Sequence, residues 1–526
     1  MKFAFVAINS QYIHSCLALQ SLAELARPHG EVDFFDFTVN QDYRMILSEL
    51  PESDIYFFSC YIWNRSMVRS LIADLKRVFP QAKVYVGGPE AQGTPDDFLH
   101  HGDGVFLGEG ESALLSFLEG EVPPSFHTKD HPGKMVREDR LDFPYPFDFV
   151  DPKKICYYES QRGCPLHCSY CLSAEVDRLV DAPLGKVKED LRRLVGMGIK
   201  LIKLVDRSFN AKPARCLELI EFFGTFAEDV TFHVELSPYG LSDAITEAIR
   251  QLPPGRIQVE IGFQALQPEV LQAIDRPAYT DGVLKRLEQF MTLPIHRHID
   301  LIAGLPTMRL TDVADTFNYL FSLRPDDLQV GFLKLLPGTP LYRRRLEFGL
   351  VASIRPPYEV LRTPFMSLEE FNRLKQVAAM AHWFHPGDYP TTFKQLNLAE
   401  PFAFYWSLAP VIGGGEMSLE DRIRRIAEAI GDDTRKETLE IDYRRKRRHR
   451  KQLFFSDREV PVREILTDYI TRIREMIPDL NDKRLAERIS LYRTGQPGTL
   501  VLYDYATGRV DILEEACNES MSIPIE

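Results

Sequence analysis

Apolar positions in the first 118 residues fall in short blocks separated by amphipathic stretches. Runs at Lys2–Ile8, Val32–Phe37, Ile55–Ser59, Lys83–Val86 and Gly104–Leu107 are nearly continuous in apolar residues, as strands buried on both faces are. Between them, Ser15–Ala26 and Arg65–Phe79 repeat apolar residues at helical spacing, and Ser112–Phe117 reads as a further short helix. Strand and helix in alternation predict a parallel, doubly wound sheet. Residues 119–150 lose this period and carry Pro123-Pro124, Pro132-Gly133 and Pro144-Tyr145-Pro146, which predicts a linker draped between domains.

From residue 151 the alternation resumes. Strands are predicted at Cys156–Ser160, Leu201–Val205, Thr231–Leu236, Gln258–Phe263, Arg297–Ile302 and Leu328–Leu333. Helices fit Val187–Gly196, Pro213–Phe226, Ser242–Gln251, Gly282–Met291 and Asp312–Leu323, giving six β/α units up to about residue 350. In the remaining segment, 351–526, the pattern is mainly helical, with helices at Leu368–Phe384 and Leu419–Ile430 parted by Gly413-Gly414-Gly415. A short α/β tail follows, with a strand at Leu500–Tyr505 and a turn at Ala506–Arg509.

A chain of 526 residues, 44% hydrophobic and 26% charged, has the length for two or three domains. Its net charge of -13 argues against a dedicated nucleic-acid binder. One basic run, Tyr443 to Lys451, departs from that balance and reads first as the solvated face of a helix, second as a grip on an anionic substrate. The N-terminal apolar run is too short for a signal peptide and no stretch reaches membrane-spanning length, so a cytoplasmic protein that makes no use of a membrane is expected.

Three of the eight cysteines, Cys164, Cys168 and Cys171, stand in the run Gly-Cys-Pro-Leu-His-Cys-Ser-Tyr-Cys, a C-x3-C-x2-C spacing. Structural zinc takes four protein ligands, and Cys16, Cys60, Cys156, Cys216 and Cys517 are too scattered to supply a fourth. Three clustered thiolates fit a four-iron cluster with one iron left open, and such a site requires a reducing compartment.

This segment resembles the cluster loop of radical S-adenosylmethionine (SAM) enzymes, and the region before it resembles the cobalamin-binding domain that precedes the barrel in many of them. The likeness extends over residues 1 to about 350, and the tail resembles the DUF4080-like domain of one large subgroup. The fold implied is an N-terminal Rossmann-like cobalamin-binding sheet (1–118), a linker (119–150), a partial (β/α)6 radical SAM barrel (151–350) and a mainly helical C-terminal domain (351–526). Cys164, Cys168 and Cys171 would hold a [4Fe-4S] cluster. Tyr170 is placed near the adenine of SAM.

At the strand ends, Asp206 in Asp-Arg-Ser-Phe-Asn resembles the Asp-containing variant of the segment that binds the SAM amino group. Glu235 matches the segment facing the SAM ribose or carboxylate. Gly262-x-Gln264 resembles the Gly-x-Gln that lets the adenosyl moiety approach the backbone. In the cobalamin domain Gly87-Gly88 matches the family's glycine pair, and Ser59 keeps the serine of a Ser-x-Leu turn without its leucine. His14 has no Asp two residues before it and no Gly three after, so it is read as a corrin contact or a capped core residue rather than a cobalt ligand. Tyr61 and Gly108 complete the expected corrin contacts, with Trp63 lying along the corrin face or packing against the next helix, and Asn64 and Arg65 meeting polar corrin side chains or, for Asn64, capping the next helix. His296 and His298 open the fifth barrel strand, where a structural role is favoured over a catalytic one. No catalytic side chain is assigned from sequence.

The resemblance implies a cobalamin-dependent methyltransferase acting on an unactivated carbon by way of methylcobalamin and a 5′-deoxyadenosyl radical. Its alternatives are a non-methylating cobalamin radical SAM enzyme (cyclisation or rearrangement) and a catalytically silent cluster-bearing sensor. The partners implied are a small-molecule or peptide substrate rather than nucleic acid, and an electron donor such as a flavodoxin or ferredoxin. Oligomeric state is left open.

Overall fold

A computed structural model of the chain describes residues 1–175, 178–412, 417–447, 454, 459–460, 489–493, 499–504 and 509–514. By internal contacts it divides into two units, Met1–Phe371 and Asn372–Glu526.

The first sheet of the larger unit is built on β1 (Lys2–Asn9), whose residues Phe3 to Ile8 are at most 2% exposed. A strand with both faces buried belongs in the middle of a sheet covered by helices on each side. Accordingly β1 lies between β2 (Glu31–Thr38) and β3 (Ile55–Ser59), followed outward by β4 (Lys83–Gly87) and β5 (Gly104–Phe106), all parallel. The linker adds a sixth strand: β6 (Phe126–His127) pairs antiparallel with β5. Phe126 packs on Tyr85, Phe106 and Phe117, sealing the sheet edge with aromatic rings.

The second sheet begins at β7 (Cys156–Tyr158), passes through a two-stranded insert of β8 (Gln161–Arg162) and β9 (Val180–Asp181), and continues through β10 (Leu201–Leu204), β11 (Thr231–Leu236), β12 (Ile257–Gln264), β13 (His296–Ala303) and β14 (Asp327–Phe332). Six parallel strands in chain order make the arc of a partial barrel. In β12 odd-numbered residues are buried against helices and even-numbered ones face the lumen, the period of two of a strand. A hairpin of β15 (Val351–Ala352) and β16 (Val360–Arg362) closes this unit.

The second unit contains helices Pro390–Leu396, Pro401–Ile412, Leu419–Ile430 and Asp433–Arg447. Its strands are β17 (Glu459–Val460), β18 (Ile489–Arg493), β19 (Thr499–Asp504) and β20 (Arg509–Glu514). These four form an antiparallel sheet, in which β19 is the strand expected at Leu500–Tyr505. The Gly413–Gly415 break, turn residues 506–508 and basic residues 448–451 lie outside the described residues. Where the basic run is described, Tyr443 and Arg444 are buried, while Arg445 and Lys446 are exposed and pair with Asp442 and Asp388. No described helix is long and apolar enough to cross a membrane.

Candidate cofactor and active site

The carboxyl ends of both parallel sheets open on one cavity of about 780 Å³. Ligands of parallel sheets bind at this end, where backbone groups and loop side chains converge.

On the first sheet's side, His14, Ser59, Tyr61, Trp63, Gly87, Gly88 and Gly108 all line the cavity. Gly88 has φ +99° and a Cβ there would come within 2.7 Å of the Cys60 carbonyl oxygen. Trp63 stacks on Tyr61 with centroids 4.5 Å apart and planes 4° from parallel, and its indole N–H donates to the Ile8 carbonyl at 3.3 Å. His14 Nδ1 lies 2.7 Å from the Tyr157 hydroxyl of β7; burial first, then the Lys203 charge, lowers its pKa and keeps the imidazole neutral. Asn64 and Arg65 are elsewhere. Asn64 makes no helix cap; its amide clamps Ile8, Ser59 and Tyr61 backbone groups, which fixes the two loops that carry the cavity wall. Arg65 is buried in an ion-pair network with Glu90 and Asp97, so neither residue reaches a corrin amide.

The cysteine loop follows β8 at Gly163, and Gly163, Leu172 and Ser173 line the same cavity. Cys164, Cys168 and Cys171 are all free thiols. The Ser169 N–H donates to Ile274 and its carbonyl accepts from Leu341, while Cys171 N–H donates to Cys168, so backbone bonds hold the loop's shape. Among the described residues no group of three His, Cys, Asp or Glu side chains is placed to hold a single ion. Three thiolates on one short loop suit a cluster, which takes each at a different iron corner. Burial raises the Cys168 pKa, and the Arg276 guanidinium, 3.7 Å from its sulfur, opposes that rise. Tyr170 is half-buried on the same loop, its hydroxyl held protonated chiefly by burial and by Cys168.

Inside the barrel, Gln264 takes φ +78° at a register shift in β12. Its Oε1 is buried with no hydrogen-bond partner, an acceptor waiting for a donor. A Cβ on Gly262 would come within 2.8 Å of the Gln264 amide nitrogen, so glycine there makes room for Gln264 to turn inward. Arg276 donates to the Gly262 carbonyl at 2.6 Å and so ties this turn to the cysteine loop. Glu235 is half-buried; burial pushes its pKa up to about 7 against the pull of Arg207. Asp206 sits apart from the cavity. It accepts from Ser160 N–H at 2.8 Å, Ser160 Oγ at 2.5 Å and Gln161 N–H at 3.0 Å, and burial raises its pKa to about 7. With both oxygens so engaged it braces the approach to the cysteine loop rather than reaching a ligand amine.

Three features were missed from sequence. Arg162 gathers Glu159 at 2.6 Å, Glu111 at 2.7 Å and Glu109 at 3.3 Å, linking the fifth-strand loop of the first sheet to the cysteine loop. Arg276 is a second. The third is a lumen cluster in which His298 Nε2 lies 2.8 Å from Asp300 Oδ1 and His233 Nε2 lies 3.4 Å from Glu260 Oε2. His296 is exposed at the amino end of β13, away from the cavity. Charged residues brought together from three neighbouring strands give no local signal; only the alternation of Glu260 and of His298 with Asp300 within apolar strands hinted at an inward polar face.

A Rossmann-like sheet with a glycine-lined cleft, facing a partial barrel with a three-cysteine loop, defines the class of cobalamin-binding radical SAM proteins. The chain carries the domains of that class: residues 4–118 match the B12 binding domain, 158–320 the radical SAM superfamily, and 346–451 the protein family of unknown function DUF4080. Among relatives, the cobalamin-dependent radical SAM methyltransferase TokK of Streptomyces tokunonensis is 24% identical over 373 residues, covering 63% of this chain and 54% of TokK. The ribosomal protein uS12 methylthiotransferase RimO of Stutzerimonas stutzeri (strain A1501) is 27% identical over 221 residues, 38% of this chain and 49% of RimO. The chain thus spans about half the length of these curated relatives. The fold matches TsrM from Kitasatospora setae, solved with cobalamin and a [4Fe-4S] cluster bound, at TM-score 0.57 and 17% identity over 84% of this chain and 99% of that one. It also matches the cobalamin-dependent SAM radical enzyme OxsB at TM-score 0.59 and 12% identity over 92% and 82%.

Proposed function

We propose that the protein is a cobalamin-dependent radical SAM methyltransferase acting on an unactivated carbon of a small molecule or peptide. The observation that carries this reading is the single cavity shared by the glycine-lined ends of the first sheet, the cysteine loop and the barrel mouth. When bound, the cluster would supply reductive cleavage of SAM and cobalamin a transferable methyl group; the protein supplies position and shielding.

Cys164, Cys168 and Cys171 would hold the cluster, with Arg276 favouring the thiolate at Cys168. Gln264, its amide oxygen unpaired, and Glu235 face the lumen where SAM would lie. Gly87, Gly88 and Gly108 line the wall against which the corrin would lie, and the Tyr61–Trp63 stack borders it. Arg162 holds the two walls at a fixed separation, which sets the distance across which a group is passed. We place the protein in the reducing cytoplasm, supplied with electrons by a flavodoxin or ferredoxin.

The test is anaerobic reconstitution with iron and sulfide, followed by incubation with SAM and a strong reductant, with and without cobalamin. Formation of 5′-deoxyadenosine together with cobalamin-dependent S-adenosylhomocysteine is the expected result. 5′-Deoxyadenosine alone, persisting once substrate is supplied, would establish the non-methylating reading. Absence of SAM cleavage in fully loaded protein would leave the sensor.

A further inference from the structure

Parallel barrels normally fill their interior with apolar side chains. This lumen is polar. Strand register sets Lys203 beside Tyr157 and His233, and Glu235 beside Glu260, which in turn adjoins His298. Such a lining is costly to bury dry and suits a charged or strongly polar ligand.

The cations around the cavity are not equivalent. Four of them line it: Arg137, Arg162, Lys186 and Arg207. Arg137 pairs with Glu109 at 3.7 Å, Arg162 with three glutamates, and Lys186 with Asp190. Arg207 is exposed to the cavity and, among the described residues, makes no hydrogen bond or ion pair. Glu235 feels the Arg207 charge, but burial outweighs it and pushes the carboxyl up to about 7, and the two side chains form no ion pair.

The place of Arg207 matters as much as its lack of a partner. It follows β10 at the barrel mouth, and its charge acts on Tyr61 of the first sheet as well as on Glu235 of the barrel. Gln264, which would face SAM, belongs to β12; the wall where the corrin would lie is lined by Gly87, Gly88 and Gly108. Arg207 lines the gap on which the carboxyl ends of the two sheets open. A substrate that receives a group from one side after activation from the other must occupy this gap.

We propose that Arg207 is a substrate-binding residue that grips an anionic group, a carboxylate or a phosphate, and so orients the substrate between the two cofactor walls. A guanidinium matches either oxyanion through two parallel N–H donors. The proposal rests on the function above and specifies its substrate class.

The test uses protein loaded with cluster and cobalamin, without SAM, exposed anaerobically to an arginine-selective arylglyoxal. Peptide mass spectrometry follows modification of Arg207, with the triply paired Arg162 as internal control. Arg207 should react while Arg162 is spared. Inorganic phosphate or malonate, against chloride at equal ionic strength, should slow the reaction at Arg207 by about tenfold, the worth of one charge-assisted hydrogen bond. Protection by phosphate alone identifies a phosphorylated substrate, and by malonate alone a carboxylic acid. Three results would overturn the proposal: Arg207 reactive only when cobalamin is absent, which makes it a corrin contact; protection by SAM but by neither anion, which makes it an anchor of the SAM carboxylate; or no protection at all. Cobalamin absorbance and 5′-deoxyadenosine formation on the same samples report separately on the underlying function.

Discussion

A methyl group added at Gly87 meets nothing closer than the Phe106 Cβ at 4.0 Å, whereas one added at Gly108 runs into the backbone of Val136 and must also adopt φ +86°. The two glycines line one cavity wall but are required for different reasons. Gly108→Ala should destabilise the protein by about 2 kcal/mol or more, since the left-handed conformation and the clash add. Gly87→Ala should leave the urea midpoint unchanged while weakening cobalamin binding by about tenfold, as one methyl intrudes on the corrin wall. Equal losses of stability in both variants would disprove that division. Glu235 offers a second residue-level test. Its pKa is 4.5 in the unfolded chain and about 7 when folded, so the folded state binds more protons between these values. Stability contributed by this group is full below pH 4.5, falls as pH rises through 7, and is flat above. Glu235→Gln should therefore lose about 1–3 kcal/mol less than wild type between pH 5 and 7.5. Urea midpoints at the two pH values measure this, and parallel slopes would show that Glu235 is not titrating there.

Among the elements, every parallel strand was legible in the sequence to within one residue at each end, except for β7, whose last two expected residues turn out of the strand. Long apolar runs bounded by turn residues mark a buried strand whatever surrounds them. Strands of two residues were not legible, because β6, β8 and β9 are too short to express a period and exist through their partners. The site was readable in the same graded way. The cysteine spacing and Gly87-Gly88 are local signals, while Arg276 and Arg162 matter only because the chain returns beside Cys168 and beside Glu109 and Glu111. Arg162 belongs to β8, and its three carboxylates come from the loop after β5 (Glu109), the start of the helix that follows it (Glu111) and the turn after β7 (Glu159). Arg162→Met would leave Glu109, Glu111 and Glu159 facing one another, partly buried, at a cost of about 2–4 kcal/mol. The expected result is a lower melting temperature and less iron retained per chain after reconstitution. Adding Glu111→Gln should restore part of both, since removing one carboxylate relieves the repulsion. If the single variant melts like wild type, the network is an ornament of the surface and does not set the loop.

For the molecule as a whole, the question is where the cobalamin-binding part ends. Sequence period stops near residue 118, but the structure continues the sheet through β6 and returns the chain across the first helix and the β2 face. Arg27 pairs with Asp148 at 2.6 Å, Gln20 donates to the Phe149 carbonyl at 3.0 Å, and Phe149 packs on Phe34 at 5.1 Å. A fragment ending at 118 would uncover the open edge of β5 and the rings of Tyr85, Phe106 and Phe117, a template for aggregation. Residues 1–150 keep β6 and the strap, and should unfold cooperatively by circular dichroism where 1–118 does not. The longer fragment should bind cobalamin, though more weakly than the whole chain, because Tyr157 and the barrel mouth supply the opposite wall. In the full chain, Cys168→Ala should abolish SAM cleavage and leave cobalamin affinity within about twofold, since the corrin wall is built by a separate sheet and additivity holds for sites that share no partner. Loss of both in that variant, with 1–150 still binding, would mean that the cysteine loop itself closes over the corrin and that the two halves form one binding site.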